Sequence, residues 1–233
     1  MKKAFVAVAL FALSAAIPMR ADQSKNEVQT RLDAATATLH ELSATPDKGI
    51  PDEVYKSAKC IAVVPHLVKG AFIFGGKHGR GMATCRTPDG GWSAPAFFTI
   101  SGGSWGLQVG AESIDLVMMI MTDEGAKHLL ENKFQVGADV SGAAGPVGRH
   151  ASAGVDWKLD TQILTYSRSK GLFAGIDLDG SWIEHDTDST KAVYGKDLTN
   201  EELLTGKVPV PAEAKTFIAE VARVKTEAQE RTR

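Results

Sequence analysis

Residues 90–110 read GGWSAPAFFTISGGSWGLQVG. Glycine recurs there among β-branched and aromatic residues, a pattern typical of strands that bend sharply or approach another backbone closely. The pattern returns as GADVSGAAGPVGR at 137–149 and as YSRSKGLFAGIDLDGS at 166–181. An earlier segment, at 60–86, reads CIAVVPHLVKGAFIFGGKHGRGMATCR and adds strand-like runs around a glycine-rich turn at 75–81. These segments together predict a glycine-rich β core.

Helical patterns flank this core. Residues 24–45 are polar but carry apolar side chains at helical spacing, namely Val28, Leu32, Ala35, Leu39 and Leu42. A second short helix is expected after Pro51, and Thr122 has the position of an N-cap for an inserted helix. TNEELL at 199–204 matches a capping pattern, and the run from Pro211 predicts a terminal helix.

We therefore predict an α+β fold: a strongly curved, mostly antiparallel β-sheet or partial barrel with N-terminal helices, one inserted helix and a C-terminal helix. A single domain over 22–233 is expected, with N-terminal helices at 24–58, the β core at 60–182 and C-terminal helices at 199–230. Within the core, residues 115–121 are apolar on both faces. They predict a central strand that is covered on both sides.

The first residues have the features of a secretory signal peptide. A positive start, MKK, precedes the apolar run AFVAVALFALSAAI at 4–17, which is short for a membrane span. We place the signal peptide at residues 1–21, with cleavage after Ala21 or Ala16, and an uncleaved anchor helix is the alternative. The mature protein is then expected in the periplasm or secreted.

The net charge of the chain limits the kinds of partner that we expect it to bind. The 233 residues carry 26 basic and 28 acidic side chains, a formal charge of −2. Loss of residues 1–21 removes three basic and no acidic residues, which leaves −5. Nonspecific nucleic-acid binding requires a concentrated basic face, so nucleic acid is not an expected partner. Attraction to an anionic membrane would likewise need a local basic patch.

The segments at 60–86, 90–110, 137–149 and 166–181 together resemble the SYLF domain family, also described as the Ysc84 actin-binding or lipid-binding SYLF domain. The resemblance runs in one order over about residues 50–195. It implies a non-enzymatic module, without a cofactor, that binds membrane phospholipid; some fungal members bind actin. In some eukaryotic members a basic amphipathic N-terminal helix contributes to phosphoinositide binding, but here residues 24–45 lack a basic face. Because we expect this protein to be exported, the ligand that the resemblance implies for it is a phospholipid or another envelope amphiphile.

Two cysteines, Cys60 and Cys85, lie in predicted strands on either side of the 75–81 turn. An even count in an oxidising compartment suggests a disulfide, and two buried free thiols are the alternative. No C-x-x-C spacing supports a redox-active pair.

Basic residues in or beside glycine-rich turns are the candidates for lipid headgroup binding, because glycine lets backbone N–H groups converge on an anion while Arg and Lys add charge. The candidates are Lys69, Lys77, Arg80, Arg86, Arg149, Arg168 and Lys170. Trp92, Trp105 and Phe173 are the candidates for aromatic contact with acyl chains or the membrane interface. Solvated surface charge is the alternative interpretation of each cation.

Other chemistries are less well supported. GGSWG at 102–106 fits the G-x-S-x-G elbow of a serine hydrolase around Ser104, but the following residues have a strand pattern instead of a helix. No metal site is predicted; HDTD at 185–188 is expected as a solvated loop and is at most a weak cation site. The remaining alternative is an envelope structural or stress protein that binds an unidentified protein partner through its sheet.

Overall fold

The computed structural model describes residues 17–44, 49–71, 75–104, 110–148, 161–169 and 172–231. Its helices are α1 (Ile17–Ser43), α2 (Asp52–Ser57), α3 (Asp123–Leu130), α4 (Thr187–Tyr194), α5 (Asn200–Leu204) and α6 (Lys215–Arg231). Its strands are β1 (Cys60–Ala71), β2 (Gly75–Cys85), β3 (Ala96–Ser104), β4 (Gly110–Ile120), β5 (Lys133–Gln135), β6 (Gly142–Ala144), β7 (Ile163–Ser169), β8 (Leu172–Gly175) and β9 (Trp182–His185).

The nine strands form one mixed sheet in the order β5-β9-β3-β2-β1-β4-β7-β6, and β8 pairs with β7 beside this path. The β6–β7 pair is parallel, while the other strand pairs are antiparallel. The sheet is strongly curled into a half-barrel. The predicted α+β class, with a curved, mostly antiparallel sheet and helices at both ends of the chain, is confirmed.

Strand β4 lies inside the sheet, between β1 and β7, and separates two apolar layers. Leu116, Met118 and Ile120 point into one layer, and Val117 and Met119 into the other, all fully buried. Helices α3 and α5 contribute to the first layer, while α1, α2 and α6 cover the second. The prediction of a central strand covered on both sides is therefore confirmed.

The helix ends follow local signals. The Thr122 side chain accepts a hydrogen bond from the Gly125 N–H and so caps α3. Thr199 and Glu202 form a complete capping box at α5. The apolar stripe predicted along residues 24–45 is the buried face of α1, although this helix begins at Ile17, inside the predicted signal peptide. Among the described residues, no helix combines the length and hydropathy that a membrane span requires.

The prediction of a glycine-rich turn at 75–81 is wrong, because these residues form the first part of β2. Strand β1 is irregular between Val64 and Leu67, and the intervening His66 has a φ of 55°. A Cβ at Gly81 would lie 2.6 Å from the Val63 carbonyl oxygen. The glycines therefore provide space for a distorted neighbouring strand.

The prediction of a solvated loop at 185–188 is also wrong. Asp186 is 6 % exposed and is the N-cap of α4, where its carboxylate accepts hydrogen bonds from the N–H and the hydroxyl of Ser189. A buried, capping carboxylate is satisfied by protein groups. Residues 149–160 of the predicted β core and most of the predicted signal peptide lie outside the described residues.

Candidate functional site

Two of the candidate arginines are held by carboxylates. Arg168 bridges to Glu41 on α1 and, at 3.3 Å, to Asp115 on β4. Arg80 lies on β2 with its Nε 3.8 Å from Asp186. Both guanidinium groups thus contribute to contacts between helices and the sheet, and the structure does not bring them together.

Lys69 and Lys77 lie directly opposite each other on β1 and β2. Burial lowers the pKa of Lys69, against the opposing effect of Glu112, which faces it from β4. Lys77 is 8 % exposed, and burial followed by repulsion from Lys69 lowers its pKa, although Asp177 and Asp179 act to raise it. Because carboxylates already surround this lysine pair, it is a weaker headgroup site than a cluster of cations alone.

Three further candidates, Arg149, Lys170 and Trp105, lie outside the described residues. Phe173 is part of β8, but its side chain also lies outside the described set. The headgroup and aromatic roles of these residues remain predictions.

Arg86 and Trp92, by contrast, come together on one hairpin. They form an isolated antiparallel bridge across a turn in which the Thr87 N–H donates to the Gly91 carbonyl at 3.1 Å. Gly90 supplies the positive φ, 86°, that this tight turn requires. The Arg86 guanidinium lies 5.8 Å from the centroid of the Trp92 ring, within cation–π range.

A disulfide fixes the base of this hairpin. Cys60 and Cys85 are register partners on β1 and β2 and are bonded to each other, so the predicted bridge is present. Cys85 immediately precedes Arg86, and its N–H donates a hydrogen bond at 3.0 Å to the hydroxyl of Ser93, which lies on the other side of the hairpin. The hairpin therefore emerges from a buried, covalently closed strand pair.

Helix α6 lies opposite this hairpin. Its buried face, with Phe217, Val221 and Val224, packs under the sheet. A neighbouring face presents Lys215, Ile218, Ala219, Ala222 and Lys225, whose spacing of three or four residues places them on one side of the helix.

The hairpin and α6 enclose a groove of about 440 Å³, which we call the α6 groove. Its cations are Arg86, Lys215 and Lys225, and its apolar surface includes Trp92, Val210 and Ile218. None of the described residues that line it is acidic. A groove that combines three cations with an aromatic ring and aliphatic side chains can bind an anion that carries an apolar portion.

Lys225 is the unusual member of this set. It is 5 % exposed, its Nζ has no hydrogen-bond partner within the described part of the chain, and that atom lies 5.8 Å from the Trp92 centroid. Lys215 and Lys225 were not among the candidates predicted from the sequence, because a terminal helix with many charged residues gives no sign of a binding site. The available signal was the apolar run Ile218, Ala219 and Ala222 on a face other than the core stripe.

The serine-hydrolase alternative finds no support in the described strands. Ser104 is the last residue of β3, paired with Gly75 of β2, and the chain resumes as strand β4 at Gly110. A nucleophile elbow requires a helix directly after the serine turn. Across the described residues, no group of three or more His, Cys, Asp or Glu side chains is assembled as a metal site.

Comparison with known proteins identifies the family. The model of the Ysc84 family, described as Las17-binding protein actin regulator, matches residues 101–224, more than half of the chain. The chain belongs to this family. The resemblance to SYLF domains drawn from the sequence is thus confirmed.

Named relatives support this assignment. Protein YSC84 of Saccharomyces cerevisiae is 36 % identical over 171 residues, which cover 72 % of this chain and 36 % of the yeast protein. The SH3 domain-containing YSC84-like protein 1 is 35 % identical over 170 residues in Rattus norvegicus and 33 % identical over 170 residues in Homo sapiens. The match covers 72 % of this chain in both cases, and 50 % and 49 % of these two relatives. The chain thus spans half or less of the length of these relatives.

Proposed function

We propose that this chain is a non-enzymatic, exported module that binds membrane phospholipid or a related anionic amphiphile at the α6 groove. The observation that carries the proposal is the convergence of Arg86 and Trp92 with the lysines of α6. Both hairpin residues are predicted from the sequence as lipid contacts, and they meet in a groove without carboxylates among its described lining.

The electrostatic balance of the groove supports this proposal. The chain as a whole is slightly acidic, so general attraction to an anionic surface does not explain binding. A patch with Arg86, Lys215 and Lys225 provides local attraction, and each such cation near an anionic surface contributes about 1 kcal/mol. Arg86 adds planar, bidentate geometry suited to a phosphate.

The aromatic and aliphatic lining supports contact with the apolar part of a lipid. Indole rings are favoured at the boundary between headgroups and acyl chains, where one face is apolar and the N–H is solvated. Trp92 is partly exposed and lies beside Ile218 and Val210. This combination distinguishes the groove from the Lys69–Lys77 pair.

A protein partner is the second candidate, favoured by the descriptions of relatives as Las17-binding. Actin and its regulators are cytosolic partners of those proteins, so we do not transfer them to a chain with the N-terminal features of an exported one. The periplasmic or secreted location is part of the proposal. Fractionation of the source cells tests it, because a cytosolic protein would remove the reason for choosing an envelope lipid.

The decisive first experiment is co-sedimentation of the purified chain with anionic and with zwitterionic vesicles, at low and at high salt. Salt-sensitive binding to anionic vesicles alone is the expected result, since screening weakens headgroup attraction. Salt-resistant binding to both vesicle types would assign the main contribution to aromatic insertion. Absence of binding to any vesicle would overturn the lipid proposal and favour the protein-partner candidate.

A further inference from the structure

The buried ammonium of Lys225 has no hydrogen-bond partner, and thus no bonded carboxylate, among the described residues. Burying a charged amine without hydrogen-bond acceptors is costly, so proteins normally pair such groups. On the same helix, Glu220 bonds to Arg223 and lies 3.3 Å from His40, and Glu227 bridges to Arg223 and Arg231. These two carboxylates are therefore engaged on another side of the helix, and the third carboxylate of α6, Glu230, is exposed and does not line the groove.

Among the described residues, the charged side chains that line the groove with Lys225 are all cations; Asp89 of the hairpin is exposed and is not part of that lining. Arg86 from the hairpin and Lys215 from the start of α6 line the same groove, and the described lining includes no Asp or Glu. Arg86 and Lys225 lie beside the same indole ring, and two like charges so placed repel each other unless an anion lies between them. A bound anion would satisfy the Lys225 ammonium and relieve this repulsion.

The volume of the groove limits the size of the apolar portion that the bound anion can have. A volume of about 440 Å³ lies towards the lower end of the range of about 300–1,000 Å³ that small-molecule pockets occupy. Such a volume suits one extended chain or ring system beside Trp92, while a lipid with two long chains would have to leave most of its apolar surface elsewhere.

Resting on the proposed function, we infer that the α6 groove is a discrete pocket for a single-chain anionic amphiphile, a fatty acid or a lysophospholipid-like molecule taken up one at a time. Lys225 and Arg86, which each lie 5.8 Å from the Trp92 centroid, hold the carboxylate or phosphate head, and the chain lies along Trp92 and Ile218. The four-carbon stem of a lysine is flexible enough for its ammonium to turn towards the bound head.

The test is isothermal titration of the purified chain with laurate and with dodecyl phosphate, below the concentration at which each forms micelles. The comparison ligands are inorganic phosphate, which has the anionic head alone, and dodecyl maltoside, which has the same chain on an uncharged head. We expect saturable binding of one laurate or dodecyl phosphate per chain and at least tenfold weaker binding of both comparison ligands. If inorganic phosphate binds as tightly as dodecyl phosphate, the groove does not bind the apolar chain of the ligand, and the inference is overturned.

Lys225→Met is the decisive variant, because it keeps the length and volume of the side chain and removes the charge. We expect affinity for laurate to fall about tenfold or more, the scale of one lost charge-assisted hydrogen bond. The thermal midpoint should not fall, since a buried unpaired charge is lost, and this measurement reports folding independently. Lys207→Met, which removes an exposed lysine paired with Glu201, is the matched control and should not change affinity. Equal affinity of Lys225→Met and the unaltered chain would contradict the assignment.

Parallel vesicle co-sedimentation separates this inference from the proposed function. Binding to anionic vesicles without binding of monomeric laurate or dodecyl phosphate would refute the single-chain pocket and leave the membrane proposal standing. No binding in either assay would remove both.

Discussion

The Asp186 carboxylate lies 3.5 Å from the Arg31 guanidinium and joins the first helix of the chain to the N-terminus of α4. The two side chains are 5 % and 10 % exposed. Arg31 also donates to the Ser189 hydroxyl at 3.0 Å, while Asp186 accepts from the Ser189 N–H. Four polar groups thus satisfy one another in a space where water cannot replace them.

Replacement of this carboxylate should be costly. Asp186→Ala removes the α4 cap, which contributes about 1 kcal/mol, and leaves Arg31 without its buried counter-charge. We expect the free energy of unfolding to fall by about 2–4 kcal/mol, measured by urea denaturation followed by circular dichroism. Asp188→Ala, at an exposed position in the first turn of α4, is the control and should cost much less. Equal losses in the two variants would contradict the role assigned to Asp186.

The Cys60–Cys85 disulfide closes a loop with a sequence separation of 25. On the chain-entropy model, a loop of this size stabilises the native state by about 3.5 kcal/mol. The Cys60→Ala/Cys85→Ala variant should therefore unfold at lower urea concentration, and a reducing agent should shift the unaltered chain but not the variant. Two titratable thiols in the unfolded, unreduced chain would show that the bridge does not form.

The glycines of β2 and β3 differ sharply in their surroundings. At Gly81 a Cβ would approach the Val63 oxygen at 2.6 Å and the Phe98 ring at 2.8 Å, whereas at Gly103 it would meet nothing within 4 Å. Gly81→Ala should consequently lower the free energy of unfolding by about 1–3 kcal/mol through overpacking. Gly103→Ala should leave it nearly unchanged. Urea midpoints of the two variants check this, and an equal effect would mean that β2 and β1 are not packed as described.

Acid should weaken the contact between β9 and α4. Burial lowers the pKa of His185 below its ordinary value of 6.5, and the adjacent Asp186 only opposes this shift. Just below that value the unfolded chain binds more protons at this site than the native chain does, so stability rises with pH there and falls as pH drops.

His185→Gln should remove this part of the pH dependence. The difference between urea midpoints at about pH 7.5 and about pH 5.5 should be smaller in the variant than in the unaltered chain, because a histidine side chain titrates near that range and a glutamine side chain does not. Its Nε2 lies 3.0 Å from the Thr190 hydroxyl, which glutamine can still reach in part. A variant that loses as much stability as the unaltered chain would assign the acid sensitivity to other groups.

Local signals in the sequence were sufficient for much of the fold. Thr122 and the Thr199–Glu202 capping box each predict a helix that begins at the next residue, and both caps form as predicted. The continuous apolar run at 115–121 likewise specifies burial on both faces without reference to any distant residue.

Features that depend on distant partners could not be predicted in this way. Glycines at 75–81 have the composition of a turn, and only the distortion of β1 explains why they lie in a strand. The role of Asp186 can be recognised only from its contact with Arg31, which is far away in the sequence. For the same reason, sequence analysis found Arg86 and Trp92 as separate candidates and missed Lys225, since their shared groove exists only once α6 packs beside the hairpin.

The central claim is that the α6 groove binds an anionic amphiphile, and a matched pair of variants tests it most directly. Arg86 lies 5.8 Å from Trp92 inside the groove, and Lys133 lies 5.0 Å from Trp182 outside it. Arg86→Gln and Lys133→Gln therefore each remove one cation beside an indole ring. In co-sedimentation with anionic vesicles, we expect Arg86→Gln to weaken binding about fivefold, corresponding to about 1 kcal/mol, and Lys133→Gln to leave it unchanged. Equal weakening by both variants, or by neither, would contradict the claim.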